Sequence, residues 1–455
     1  MVYTVLSMTK PGFLLFSAVG LLITVTIAPV CQAGSVAAPY QIGTWEGFRP
    51  AAISYTFDDS LPNQYNEAVP MFHAAGLKMT LFTVTSWVGG ANAPSWSQVQ
   101  QAASYGDEIA SHTVTHPNLT TVSATQLTNE LANSQSTINS YITNQSCLTL
   151  AYPNCAVPSE AVTAQYYIAA RVCSGSLAPS SGGDFLQIGS FILGNTGPYT
   201  TGDSINSLAD SAVTQGLWCV YLTHAIDGDN GYSPLSSAAL QASVNYTSTN
   251  QSKFWVETFG NVVRYIKERN ASSVAEIGNT NGAITVQVSD NLDNSIYNYP
   301  ITLRRPLPTS WTWAAVAQNG ALVPSQVVTS NSQLYVLFDV VPNGGDVTIA
   351  ESNIPPTIHL AIPASATEGD GVLAGQGNIT LSLTSSNDLV VNLTSSNTNK
   401  VAVPSGVVIP TGQSNAVFDL TIVNDILLDG DQNVSITATA TNYSPTLATI
   451  LVDST

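Results

Sequence analysis

Charge is what this chain has least of. Only 9% of its 455 residues are Asp, Glu, Lys or Arg, against about a quarter in an average globular chain. The shortage falls on the cations: 11 Lys and Arg face 29 Asp and Glu, a net charge of −18. Nucleic acid and anionic lipid both demand a basic surface, so neither is expected as a partner. A neutral or cationic substrate suits this balance better. Histidine is also scarce, with five in the whole chain, so two within one short stretch carry information.

Long apolar runs are confined to the start. Phe13 to Val30 is apolar, Lys10 precedes it, and Cys31-Gln32-Ala33 follows. Residues 1–33 read as a signal peptide cleaved after Ala33, with an uncleaved anchor as the alternative. The expected product is secreted or held at the cell surface, with no membrane span after cleavage. Cleavage would leave four of the five cysteines: Cys147, Cys155, Cys173 and Cys219. An exported chain permits disulfides. Cys147 and Cys155 bracket a predicted strand and would stand roughly 25 Å apart, too far to join. Cys155–Cys173, at the ends of successive strands, is the favoured pair. Cys147–Cys219 stays open, and free thiols are the alternative.

From about residue 50 to 270, strands and helices alternate. The first strand is Ala52-Ile-Ser-Tyr-Thr-Phe-Asp-Asp-Ser60, in which Ile53, Tyr55 and Phe57 alternate with small residues. It ends on two adjacent carboxylates, Asp58 and Asp59, which repel each other and are costly to bury without a cation. Later strands are expected at 78–84, 107–112, 148–152, 168–172, 217–222 and 253–256. Helices are expected at 65–75, 95–104, from Ser123 to Asn144, and at 159–167, 205–214 and 261–270. A polar loop fills the stretch up to about 202. Repeated βα units imply a parallel sheet or barrel, with chemistry at the C-terminal ends of the strands. Asp58, Asp59, His112, Pro153 and His224 all fall there. After Ala271 the pattern becomes short alternating strands. Two all-β sandwich modules are expected, at 278–352 and 357–455, with Pro355-Pro356 as a stiff hinge.

His112-Thr-Val-Thr-His116 supplies two imidazoles. With Asp59 they would make a His₂-carboxylate set, the pattern of a catalytic metal site with room for water. Pro117 biases His116 away from helical geometry, so a strand-end loop or single turn is expected there.

Four segments, Thr56-Phe57-Asp58-Asp59, His112-Thr113-Val114-Thr115-His116, Leu150-Ala151-Tyr152-Pro153 and Leu222-Thr223-His224, occur in the order found in the NodB-like polysaccharide deacetylases, carbohydrate esterase family 4. The chain resembles that family over about 50–270, which sets the domain at 45–272. The resemblance implies an α/β fold, a distorted (β/α) barrel of about seven units, followed here by the two sandwich modules. It implies a divalent metal, Zn²⁺ first, on Asp59, His112 and His116. It implies Asp58 as general base, His224 as the acid that protonates the departing amine, and a backbone N–H near Asn154 as oxyanion donor. Tyr152, Pro153 and Leu222 would support the substrate. The implied substrate is a polysaccharide bearing N-acetyl groups. An O-acetyl esterase acting on xylan, or an inactive glycan-binding or adhesion protein, is the alternative.

The sequence departs from the family in places. Ala151 stands where an Arg is usual, and Asn154 where a Tyr is. Ser60 replaces a Gly, and the Asp-Trp motif that tunes the acid histidine is absent. Arg171 is the expected substitute for the missing Arg, and Asp227 or Asp203 for the missing Asp. The last module resembles Calx-β domains. Glu368 and Asp370 near its start, with Asp425, Asp429 and Asp431 near its end, are the expected Ca²⁺ positions. Through such modules the protein would meet a cell-surface or matrix glycan.

Overall fold

The computed structural model describes residues 34–280, 282–352, 356–385, 387–424 and 430–453. The expected signal peptide, Pro355 of the hinge, Asp425 and Asp429 lie outside the described residues. Among the described residues no helix is long and apolar enough to cross a membrane.

Eight parallel strands build the N-terminal unit: β1 (Ala51–Asp58), β2 (Thr80–Thr83), β3 (Glu108–Ser111), β4 (Thr149–Ala151), β5 (Ala169–Arg171), β6 (Phe191–Ile192), β7 (Trp218–Thr223) and β8 (Phe254–Val256). They run in the order β5-β4-β3-β2-β1-β7-β6, with β8 paired to the start of β1. The expected barrel is therefore a curled, open half-barrel. Its two edges approach through the chain between them: Ile188 bridges to Arg171 in β5, and three residues later the chain enters β6.

All eight residues of β1 are buried. Its odd positions, Ile53, Tyr55 and Phe57, pack into the core under the helices, while Ala52 belongs to the cluster on the opposite face with Ala110, Ala151, Phe82 and Trp218. This is the period-2 alternation of a strand covered on both sides.

The helices are α1 (Val69–Ala74), α2 (Trp96–Ser104), α3 (Ala124–Tyr141), α4 (Glu160–Thr163), α5 (Gly202–Gln215), α6 (Ser237–Thr249) and α7 (Phe259–Ala271). Ser95 and Ser123 cap α2 and α3, each accepting from the backbone N–H three residues on. Helix α3 stops at Tyr141, three residues before the expected end, because Ile142 has left helical geometry and turns its side chain into the core. Two elements were not foreseen. Strand β6 lies inside the expected polar loop. Helix α6 shows little amphipathic pattern because its buried face includes Ser243 and Thr247, whose hydroxyls bond the Tyr55 hydroxyl at 2.8 and 3.2 Å.

From Ser273 onward the described residues are all β. A four-stranded sheet (Gln41–Ile42, Ile301–Pro306, Gln333–Val340, Ser325–Ser330) and a five-stranded sheet (Ser273–Thr280, Ala283–Ser289, Val347–Ser352, Trp313–Gln318, Ala321–Leu322) contribute to one core. That core continues into Trp255, Phe259 and Tyr265 under the parallel sheet. The segment Gln41–Ile42 pairs with Leu303 and Arg304, so the chain enters this β region before it builds the parallel sheet. A second pair of sheets, of four and five strands, spans 358–453 around its own core.

Candidate metal centre and active site

The C-terminal ends of β1, β3, β4, β5 and β7 meet around a cavity of about 360 Å³, lined by Asp58, Asp59, His112, His116, Tyr152, Asn154, Cys155, Cys173, Ile192, Leu222, His224 and Tyr232. The four motifs, separate along the chain, converge here.

Asp58 is the last residue of β1 and is 3% exposed. Asp59 follows at φ 75° and Ser60 at φ 52°, so the chain leaves the strand through two left-handed residues, the second where the family prefers Gly. This turn presents Asp59 to the imidazoles. His112 Nε2 lies 3.6 Å and His116 Nε2 3.5 Å from Asp59 Oδ1. One ligating atom from each of the three falls within 4.8 Å of the others. Among the described residues no other such group of three occurs.

The local chemistry suits a cation. His112 Nδ1 pairs with the Ala151 carbonyl at 2.8 Å. A carbonyl can only accept, so Nδ1 carries the proton and the Nε2 lone pair faces Asp59. Burial pushes His112 down to about 3 and holds His116 below its usual value, so both rings stay neutral at pH 7. Asp59 Oδ1 is buried with no hydrogen-bond partner. Burial first, then the Asp58 charge, raises Asp59 to about 6. A bare carboxylate oxygen facing two neutral imidazole nitrogens is a donor set matched to a divalent metal.

The His112–His116 segment is a tight turn, as expected, with Thr113 at φ 70° and His116 at φ 59°. Glu130 on α3 holds it. Its carboxylate accepts from the Val114 and Thr115 backbone N–H groups, both at 2.8 Å, and from the Thr115 hydroxyl at 2.6 Å. Sequence reasoning missed Glu130; the signal was an acid on the helix face that carries Leu127, Leu131 and Ile138. It also missed Gln64, whose side-chain amide donates to the carbonyls of Asp58 and, at 2.9 Å, His224.

Arg171 ends β5 and is 2% exposed. Its guanidinium donates from Nη2 to Asp58 Oδ2 and from Nη1 to Ser190 Oγ at 3.2 Å. The cation thus arrives one strand over from the family's usual position. Burial pushes the Asp58 carboxyl up, but Arg171, then His112 and His224, outweigh it and hold Asp58 below the usual range. Asp58 is ionised at neutral pH, and its Oδ1 has no hydrogen-bond partner. His224 Nε2 lies 4.0 Å from Asp58 Oδ2. Burial holds His224 below its ordinary value against the pull of Asp58 and Asp59.

Neither Asp227 nor Asp203 orients His224, whose Nδ1 has no partner. Asp227 instead accepts from the Ser237 backbone N–H at 2.8 Å, and Asp203 sits in the first turn of α5. What touches His224 is Tyr232, edge-on at 5.0 Å. Cys155 and Cys173 form the favoured disulfide, whereas Cys147 and Cys219 are buried thiols, which closes the Cys147–Cys219 option. In the last module Glu368 Oε1 accepts from Lys400 Nζ at 3.1 Å, and Asp370 accepts from the Thr367 backbone N–H at 2.7 Å.

Residues 47–171 match the family model for polysaccharide deacetylases. The stretch holds Asp58, Asp59, His112, His116 and Arg171 but ends before His224. A gellan lyase from a Bacillus species is 25% identical over 367 residues, covering 74% of this chain and 14% of that protein. The Bacillus subtilis protein YxkH, named as a polysaccharide deacetylase, is 29% identical over 101 residues, covering 22% of this chain and 36% of that one. The chain thus spans well under two thirds of either relative. Among solved structures, the family 4 domain of a multidomain xylanase from the hindgut metagenome of Trinervitermes trinervoides is 20% identical, covering 46% of this chain and 88% of that one, with a TM-score of 0.34. Peptidoglycan deacetylase PdaC from Bacillus subtilis is 15% identical, with coverages of 48% and 92% and a TM-score of 0.34. A family 4 pseudoenzyme from Bacillus anthracis is 14% identical, with coverages of 47% and 65% and a TM-score of 0.32. Over residues 47–171 the chain is thus similar to polysaccharide deacetylases.

Proposed function

We propose that the protein is an exported, metal-dependent deacetylase that hydrolyses N-acetyl groups of an amino-sugar polymer of the chitin, peptidoglycan or poly-N-acetylglucosamine type. One observation carries this reading: an ionised Asp58 held by Arg171 stands beside a bare Asp59 oxygen that faces two neutral imidazole nitrogens. Asp59, His112 and His116 would hold the divalent ion, with Zn²⁺ favoured by two nitrogens and one carboxylate. When bound, that ion lowers the pKa of a water and polarises the acetyl carbonyl.

The chain's own residues do the rest. Arg171 keeps Asp58 charged and aimed, so Asp58 takes the proton of the attacking water. The backbone N–H of Asn154, at the cavity wall, serves the developing oxyanion. His224 delivers a proton to the departing nitrogen, because an amine leaves poorly without one. Burial keeps His224 neutral at rest, so its proton comes from Asp58, 4.0 Å away. Tyr152 and Leu222 supply apolar wall for the methyl group. Residues 1–33 direct export, and the two C-terminal β regions act as sandwich modules that hold the enzyme on a surface or matrix glycan. A polysaccharide substrate is in keeping with the names of both curated relatives.

The test is acetate release from an N-acetylglucosamine hexamer and from acetylated xylan in parallel, with metal content measured. Release from the hexamer that stops with chelator and returns with Zn²⁺ is expected. Release from xylan alone would make the protein an O-acetyl esterase. Glycan binding with neither metal nor acetate would leave only an adhesion module.

A further inference from the structure

Two consecutive residues at the cavity wall break the ordinary backbone rule. Asn154 and Cys155 both have φ of 56°. Residues other than glycine enter the left-handed region rarely and at a cost, and two in a row persist only where the surroundings impose them. Backbone hydrogen bonds within the turn, Cys155 N–H to the Tyr152 carbonyl at 3.0 Å and Ala156 N–H to the Pro153 carbonyl at 3.2 Å, are local and open with it. From outside, the turn is held at its start by the Tyr152 N–H, which donates to the Arg171 carbonyl at 3.2 Å, and at Asn154-Cys155 by a covalent bond. Cys155 is bonded to Cys173, 18 residues on, with the two Cα atoms 5.8 Å apart.

Cys173 lies two residues beyond Arg171, the side chain that holds Asp58. Strands β4 and β5 have three residues each, and on its outer side β5 pairs with the chain from Phe185 to Ile188 through Ala170 and Val172. The disulfide adds a covalent tie between the two strand ends beside the reacting groups. That tie reaches both the Asn154 turn and the strand end that carries Arg171. Both cysteines are part-exposed and line the same cavity as Asp59, His112 and His224, so a small reductant can reach them.

We propose that Cys155–Cys173 is a positioning disulfide. It holds the strained Tyr152–Ala156 turn and the Arg171 strand end in the geometry of turnover, so that the oxidised protein is the active form. This rests on the deacetylase reading above. The sulfurs act through Asn154 and Arg171, not on the substrate.

A water-soluble trialkylphosphine provides the test. It breaks the S–S bond, each sulfur gains a hydrogen, and the phosphorus takes the oxygen of one water to become the phosphine oxide. Full-length, Zn²⁺-loaded protein is assayed on the N-acetylglucosamine hexamer before and after treatment, with metal content checked. Reduction is expected to lower kcat about a hundredfold while KM moves little, since misplacing catalytic groups by an ångström costs that much. Unchanged kcat at full metal content overturns the proposal.

A pair of variants separates positioning from mere bracing. Glycine enters the left-handed region without strain. Cys155→Gly with Cys173→Ala should therefore keep roughly ten times the kcat of Cys155→Ala with Cys173→Ala. Equal kcat per folded, metal-loaded molecule, with only Tm lowered, would reduce the bond to a brace and overturn the proposal. If the alanine pair does not fold, hydrogen exchange on the wild type decides. The peptide spanning residues 152–157 should exchange at least about tenfold faster after reduction, and an unchanged rate sinks the idea. That readout needs no turnover. A protein that releases no acetate in its oxidised form fails the deacetylase reading, while the exchange result still judges the clamp.

Discussion

The two ends of the parallel sheet treat buried carboxylates in opposite ways. At the end where the strands begin, every oxygen of Glu108 and Glu257 is satisfied by the protein. Glu108 accepts from the Thr80 and Thr149 hydroxyls at 2.9 and 2.6 Å and from the Gly260 backbone N–H at 2.8 Å. Gly260 is the residue that permits this approach, because a Cβ there would stand 2.4 Å from Glu108 Oε1. Glu257 accepts from the Thr258 N–H, the Asn261 amide, the Lys78 ammonium and the Tyr299 hydroxyl, all at 2.9–3.1 Å. At the end where the strands finish, Asp58 Oδ1 and Asp59 Oδ1 have no partner. The same chain that satisfies both of these carboxylates at one end leaves one oxygen on each of two acids open at the other. Sites that break the local rules in this way are where a fold carries function.

The largest expected effect breaks the comparison at the open end. Asp58→Asn removes the charge that Arg171 holds in place but keeps the side-chain shape. It should retain the metal and lower kcat by about a thousandfold or more. Elemental analysis and acetate release check both halves. Near-normal turnover would show that the open carboxylate is not the base. Tm should also fall, because the buried Arg171 guanidinium loses its counter-charge.

Next in size comes Glu108→Ala at the closed end. It strands three buried donors at once and should cost about 3 kcal/mol or more of stability. Denaturant unfolding measures that loss, and kcat of the folded fraction should be unchanged. A loss of kcat without a loss of stability would mean that the two ends are not separable.

The open end was legible in the sequence for a physical reason. A strand that alternates large and small residues and then stops on two acids reports burial and chemistry together, and β1 does so from Ile53 to Asp59. Arg171 was legible because cations are so rare in this chain that one at a strand end stands out. The closed end was not legible. Glu108 and Glu257 look like ordinary surface acids, since their donors come from positions as distant as Thr80, Thr149, Gly260 and Tyr299. Gln64 was hidden in the same way, because it acts on backbone carbonyls that have no sequence signature, while Glu130 left only the trace of an acid among Leu127, Leu131 and Ile138. Pairing of Gln41–Ile42 with strand Ile301–Pro306 is a contact across about 260 residues, which no local pattern announces. Strand β6 has two residues, too few for alternation to be read.

The smallest effect sharpens the comparison through pH. Asp107 sits beside Glu108 at the closed end, yet only its Oδ1 is engaged, by the Met79 backbone N–H at 3.0 Å. Burial, only partly offset by that N–H and by Lys78, raises its carboxyl from 3.8 to about 7. The folded protein therefore binds this proton more readily than the unfolded chain does. Its contribution to stability is complete below about pH 4, where both states are protonated, and is lost as pH rises through 7. Glu257, held low by Lys78 and its backbone donor against the upward push of burial, works the other way and loses its contribution on acidification. Asp107→Asn keeps an oxygen for the Met79 N–H and removes the proton. It should flatten the fall in stability between pH 4 and 7, a slope of at most about 1.4 kcal/mol per pH unit for one proton. Chemical denaturation at a series of pH values reads it directly. If the slope survives the substitution, the proton belongs to another buried acid, and the closed end is less complete than its hydrogen bonds suggest.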